Sequence, residues 1–167
     1  MRVQMPISTD LSRLLRPRGI AVIGASNDPN KIGGRPIDYL RRYGFEGAIY
    51  PINREHAAVQ GLKAYERLED APGEIDLAIV AVPAAGVRDA LGDCGRRHIP
   101  FAIVFTSGFA ESGAEGAESQ RDLQEIARRA GVRLLGPNSL GVISEPARLT
   151  ATFSTVLDRP SGLIAGE

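Results

Sequence analysis

The sequence predicts an α/β domain built on a Rossmann-like, doubly wound parallel sheet of about five strands, in the order 3-2-1-4-5 when strands are counted along the chain. Three observations predict it. Five short runs are apolar at nearly every position, helical patterns alternate with them, and each run ends in small or turn-forming residues. Strands apolar on both sides need cover on both faces, which right-handed crossover helices supply. The ligand crevice of such a sheet lies beyond the carboxyl ends of its strands.

Taken in order, Ser8, Thr9 and Asp10 are capping residues, and Leu11, Leu14 and Leu15 follow at helical spacing before Pro17. A short opening helix is predicted there. Ile20 to Ile23 then form an apolar strand that ends in a turn-rich stretch from Gly24 to Asn30, and Ile37, Leu40 and Tyr43 mark a helix closed by Gly44. The second strand is Ala48-Ile49-Tyr50, stopped by Pro51. An irregular stretch leads to the third strand within residues 75–82. A helix over residues 85–97, a strand over 101–105, a helix over 113–130 and a strand over 132–135 complete the pattern. The expected division is residues 1–17 as a lead-in, 18–145 as the domain, and 146–167 as a linker that enters a further strand at 162–165.

Composition narrows the function. Hydrophobic residues make up 43% and charged residues 24%, the balance of a globular domain with a real core. Lys plus Arg and Asp plus Glu stand at 20 each, so no global field favours nucleic acid or an anionic membrane. Phosphate recognition must then be local. Cys94 is the one cysteine, which excludes an internal disulfide and a cysteine-based zinc cluster and fits a reducing, cytoplasmic setting. His56 and His98 are too few for most metal sites, and neither a secretory signal nor a membrane span is expected. No metal site and no catalytic residue is assigned.

The strand-end loops carry the chemistry. After the first strand, Gly24, Ala25, Ser26, Lys31 and Gly33 lie in a loop leading to a helix N-terminus, a favourable place for a diphosphate. Counting from Gly24, the later glycine positions of the dinucleotide fingerprint fall on Ser26 and Pro29, which disfavours NAD. A branched residue at Gly24 is expected to block backbone approach to phosphate and leave the fold intact. After the second strand, Pro51, Asn53 and Arg54 stand where an NAD domain carries an acidic residue, and they suit a ribose phosphate, the 3′-phosphate of CoA or the 2′-phosphate of NADP. Val82 and Pro83 end the third strand with small apolar surface. Thr106, Ser107 and Gly108 follow the fourth, and Gly136, Pro137 and Asn138 the fifth.

In register, Ile23-Gly24-Ala25-Ser26 with Lys31 and Gly33, Tyr50-Pro51-Ile52-Asn53, Ala81-Val82-Pro83-Ala84, Thr106-Ser107-Gly108-Phe109-Ala110-Glu111 and Leu135-Gly136-Pro137-Asn138-Ser139-Leu140-Gly141 resemble one known family. It is the N-terminal CoA-binding domain of NDP-forming acyl-CoA synthetases, which include ADP-forming acetate–CoA ligases, and of the succinyl-CoA synthetase alpha subunit. The resemblance spans residues 11–165. It implies coenzyme A as the ligand, with Gly24 to Ser26 and Lys31 by the phosphates, Asn53 and Arg54 by the nucleotide end, Val82 and Pro83 by the adenine, and Ser107, Gly108 and Asn138 along the pantetheine arm. It also implies partners, a following ligase domain with a phosphocarrier histidine and a grasp-type nucleotide-binding module. Glu55 stands where many relatives have Lys, and Ser139 where many have Cys, so no thiol chemistry is assigned there. A free-standing CoA-binding regulatory module and an NADP-binding oxidoreductase fragment are the alternative readings.

Overall fold

The computed structural model describes residues 10–158. The expected caps Ser8 and Thr9 and the expected strand at 162–165 lie outside them. The elements run α1 (Ser12–Leu15), β1 (Gly19–Ile23), α2 (Arg35–Arg42), β2 (Ala48–Ile52), β3 (Ala58–Val59), β4 (Leu62–Lys63), β5 (Leu77–Val80), α3 (Ala84–Arg96), β6 (Phe101–Val104), α4 (Ala114–Ala130), β7 (Arg133–Leu135), β8 (Gly141–Ser144) and β9 (Leu149–Thr152). Among the described residues no helix is long and apolar enough to cross a membrane.

Five strands pair in parallel in the order β2-β1-β5-β6-β7. Counted along the chain this is 2-1-3-4-5, so the parallel α/β sheet stands and the expected order 3-2-1-4-5 is corrected. The reason is chemical. β5 is buried at every position, while β2 is partly exposed and contains Pro51, which cannot donate to a ladder. A strand with those features belongs at an edge.

β2 also continues through Pro51 to Ile52, where a stop was expected. Alternate residues of a strand direct their backbone groups to opposite sides. The Pro51 carbonyl accepts from Tyr65 N–H at 2.9 Å and Asn53 N–H donates to Tyr65 O at 2.9 Å, both on the outer edge, while the Ile52 carbonyl faces β1's loop. The missing N–H of Pro51 therefore costs the sheet nothing.

The two sheet faces make two cores. On one, Ala21, Ile23, Ala78, Val80, Ala102 and Val104 pack under α3 and α4 through Val87, Leu91, Leu123 and Ala127. On the other, Ile20, Val22, Leu77, Ile79, Phe101 and Ile103 meet Ile37 and Leu40 of α2 and Leu149 and Ala151 of β9. The alternation along each strand explains why these runs are apolar throughout. β8 and β9 form an antiparallel hairpin, and β9 is wholly buried, so the folded unit runs beyond residue 145.

α2 is pinned to the chain that follows the hairpin. Tyr39 is fully buried and its hydroxyl contacts Asp158 and donates to the Ser154 carbonyl at 3.1 Å, while Tyr43 OH donates to the Leu157 carbonyl at 2.8 Å. Desolvation, then the Asp158 contact, pushes the Tyr39 phenol up to about 12.

Candidate functional site

Because the five strands are parallel, the loops after β1, β2, β5, β6 and β7 all leave one edge of the sheet. They are stitched to one another. Asn53 Nδ2 donates to the Ala25 carbonyl at 2.9 Å, and Gly24 and Ala25 N–H groups both donate to the Ile52 carbonyl at 3.2 Å. Thr106 Oγ1 donates to the Val82 carbonyl at 2.6 Å, Asn138 N–H to the Thr106 carbonyl at 2.9 Å, and Ser139 N–H to the Val104 carbonyl at 3.1 Å. A continuous floor results.

The β1 loop, residues 24–34, sits where its glycines require. Gly24 has φ +86, and a Cβ there would lie 2.5 Å from the Ala81 carbonyl oxygen. At Gly33 a Cβ would lie 2.0 Å from the Gly24 carbonyl oxygen, so the two ends of the loop touch backbone to backbone. Ser26 N–H donates to Gly33 O at 3.2 Å across that contact. These glycines are structural requirements of the turn.

The α2 N-terminus offers few donors, contrary to the usual expectation for such a loop. Gly34 and Arg35 N–H groups donate to Lys31 O, Ile37 and Asp38 N–H groups donate to Gly34 O, and Pro36 has no N–H. Among the described residues, the loop N–H groups without an intramolecular partner are those of Asn27, Ile32 and Gly33. Anion-binding capacity therefore lies in the loop itself, as in a backbone nest. Lys31 and Arg54 are exposed, and neither has a carboxylate partner among the described residues. They are the local cations at this edge.

The predicted site residues divide into two groups. Lys31, Arg54, Pro83, Ser107, Gly108 and Asn138 are exposed at the carboxyl edge, with Val82 and Ser26 half-buried beside them. Ala25 and Gly33 are buried in the floor. Pro51 does not reach the crevice, since it is buried within β2. Asn53 spends its side chain on structure: besides Ala25, its Oδ1 accepts from Glu55 and His56 N–H groups at 2.7 and 2.8 Å. Thr106 does likewise through its hydroxyl.

Sequence reasoning missed Gln60, Asn27 and the part played by Glu111. The Gln60-Gly61 pair between Val59 and Leu62 was a legible hairpin signal. Glu111 accepts from the N–H groups of Gly108 at 2.5 Å and Phe109 at 3.2 Å, and the Gly108 bond leads the causes that hold its carboxyl below the usual range. The loop after β6 is thus fixed by its own carboxylate.

Among the described residues no group of three or more His, Cys, Asp or Glu could hold a metal ion. Cys94 is fully buried in α3 under the sheet, and desolvation, with Asp93 adding to it, pushes its thiol up to about 12. The native protein is expected to resist iodoacetamide at pH 8 and to gain one adduct per chain in urea. Intact-mass measurement checks this, and rapid native alkylation would place Cys94 at an accessible position.

The family described as "CoA binding domain" matches residues 18–145. Among curated relatives, the chain is 44% identical over 146 residues to the acetate–CoA ligase [ADP-forming] II alpha subunit of Pyrococcus furiosus, a match covering 87% of this chain and 32% of that protein. It is 35% identical to the 4-hydroxybutyrate–CoA ligase [ADP-forming] of Nitrosopumilus maritimus, covering 92% of this chain and 22% of the relative. A solved structure of the dinucleotide-forming acetyl-coenzyme A synthetase 1 of Ca. Korarchaeum cryptofilum, in its apo form, superposes with a TM-score of 0.83 at 45% identity, covering 86% of this chain and 31% of that one. The chain spans about a third or less of the length of these proteins.

Proposed function

This chain belongs to the CoA binding domain family, and on that premise we propose that it holds CoA across the carboxyl ends of β2, β1, β5, β6 and β7 for an ADP-forming acyl-CoA ligase. The observation that carries the reading is the stitched row of five loops, with free N–H groups and two unpaired cations gathered at its β1–β2 end. Charge is matched to the phosphate end of CoA. The uncharged Ser107, Gly108 and Asn138 suit the pantetheine arm.

In this arrangement the diphosphate lies on the N–H groups of Asn27, Ile32 and Gly33, Lys31 and Arg54 meet the 3′-phosphate, and Val82 and Pro83 flank the adenine. The chain's own contribution to catalysis is orientation of the CoA thiol. In the intact ligase, acyl-CoA, phosphate and a nucleoside diphosphate would be converted reversibly to carboxylate, CoA and the nucleoside triphosphate. The phosphocarrier histidine and the grasp-type nucleotide module would come from partner domains or subunits. His98 precedes β6, at the sheet edge opposite the loops, and His56 lies exposed in the β2 loop; this reading assigns the carrier role to neither.

Calorimetric titration of the 167-residue chain with CoA, dephospho-CoA, NAD and NADP tests the reading. CoA is expected to bind tightest and to raise the thermal midpoint with its concentration, because it binds the folded state alone. Dephospho-CoA should bind at least about tenfold more weakly, for want of the charge-assisted contacts from Lys31 and Arg54. Tighter binding of NADP than of CoA would reverse the assignment in favour of the oxidoreductase reading.

A further inference from the structure

The hairpin of β3 and β4 presses its two-residue turn onto the β1 loop. Gln60 Nε2 donates to two carbonyl oxygens at once, that of Ser26 at 3.0 Å and that of Gly34 at 2.9 Å. Ser26 lies just after β1, and Gly34 just before α2. Gln60 N–H donates to Asn27 Oδ1 at 2.7 Å, and its carbonyl accepts from Arg41 Nη1 at 2.5 Å. A single residue from outside the loop thus clamps the two ends that the Ser26 N–H to Gly33 O bond brings together.

An anion is held by N–H groups and repelled by carbonyl oxygens, so a phosphate loop must keep its carbonyls turned away. Here the Ala25 carbonyl is taken by Asn53, that of Ser26 by Gln60, and that of Gly34 by Gln60 together with the Ile37 and Asp38 N–H groups. What remains unclaimed between them includes the N–H groups of Asn27, Ile32 and Gly33. Gln60 does this from a left-handed backbone position, φ 49, followed by Gly61 at φ 79. In a turn of that kind Asn is the favoured first residue. Turn propensity alone would select Asn, but its side chain is one methylene shorter.

Resting on the CoA reading above, we infer that Gln60 is a positioning residue for the CoA diphosphate: it acts through the Ser26 and Gly34 carbonyls, holding the loop in its anion-accepting form. The loop is paid for in advance, so binding loses less to ordering.

Gln60→Asn separates this role from hairpin stability, because it suits the turn better and cannot span the two carbonyls. Gln60→Glu has the reach and lacks the donor. In the 167-residue chain, amide-resolved NMR titration with CoA, inorganic pyrophosphate, adenosine and pantetheine gives the readout. Both variants are expected to bind CoA and pyrophosphate about tenfold more weakly, with adenosine and pantetheine affinities changed less than twofold. A merely structural role would weaken all four probes together. CoA affinity within twofold of wild type in Gln60→Asn, or equal losses for the phosphate-free probes, would overturn the inference alone. A wild-type chain that binds no CoA would overturn the CoA reading and the inference with it.

Discussion

A Gly24→Val chain is expected to lose on the order of 3 kcal/mol of stability, which lowers the thermal midpoint by roughly 10 °C for a domain of this size. The sequence alone argues for a different outcome, a lost ligand in an intact fold. The structure changes the balance because the Gly24 Cβ position is claimed by the backbone of the sheet, 2.5 Å from Ala81 O and 2.9 Å from Ala81 C. Ala81 N–H donates to Ile23 O at 2.9 Å, so that backbone is held against β1 and cannot retreat. Left-handed φ adds about 1–2 kcal/mol for an L side chain. Gly33→Ala isolates the packing component, since its Cβ would meet Gly24 O at 2.0 Å without a left-handed φ. Gly108→Ala isolates the conformational component, with φ +99 and nothing within 4 Å of the added carbon. Urea unfolding of the three variants should rank Gly24→Val as the most damaged and Gly108→Ala as the least. CoA titration of whichever loop variant stays folded should show binding lost with Gly33→Ala. A Gly24→Val protein as stable as wild type would mean that β1 and β5 can separate at their carboxyl ends.

The sheet was legible because each of its strands is short, apolar on both faces and separated from the next by a helix or turn. Its order was not, although the clue was in β2, where Pro51 and the half-exposed Ile49 and Tyr50 are the marks of an edge. Residues 146–167 were expected to be a linker, so β9, with Thr150 and Thr152, was not foreseen. In the fold both are buried, and Thr152 Oγ1 donates to the Leu140 carbonyl at 2.6 Å, while Thr150 Oγ1 has no hydrogen-bond partner among the described residues.

The crevice loops were legible from their glycines, prolines and hydroxyls. What no local pattern reveals is which polar groups are spent inside the protein. Asn53, Thr106 and Gln60 each bond a carbonyl 24 to 34 residues away, a distance set by the topology of the sheet and invisible to spacing rules. For that reason, residue types suited to a ligand can turn out to be the struts that shape its site.

Asp76 anchors the opposite edge of the sheet and is expected to carry a pH-dependent share of the domain's stability. It immediately precedes β5, its side chain is only 1% exposed, and it receives Arg13 Nε at 2.6 Å, the Arg18 backbone N–H at 2.9 Å and Arg18 Nε and Nη2 at 2.9 Å. Desolvation acts to raise its pKa, but the bonds from Arg18 and Arg13 outweigh it and bring the carboxyl from 3.8 down to about 2. A folded-state pKa below the unfolded one means that the stabilisation is complete above about pH 4 to 5 and is lost as pH falls toward 2. Its size at neutral pH is on the order of 2 kcal/mol. Asp76→Asn keeps the volume and removes the charge. At pH 7 it should lower urea-unfolding stability by about 2–3 kcal/mol, below the upper range for a broken buried pair because both arginines are about half exposed and can rehydrate. As pH is lowered from 5 to 2.5 the gap between wild type and variant should narrow, since the unfolded wild-type chain takes up a proton at Asp76 that the folded carboxylate, held near 2, still largely refuses. Other acidic groups, such as Glu125 with its two arginines, titrate in both proteins and cancel in the difference. A gap that holds constant over this range would show that Asp76 stabilises the edge by its shape and hydrogen bonds, with no contribution from its ionisation.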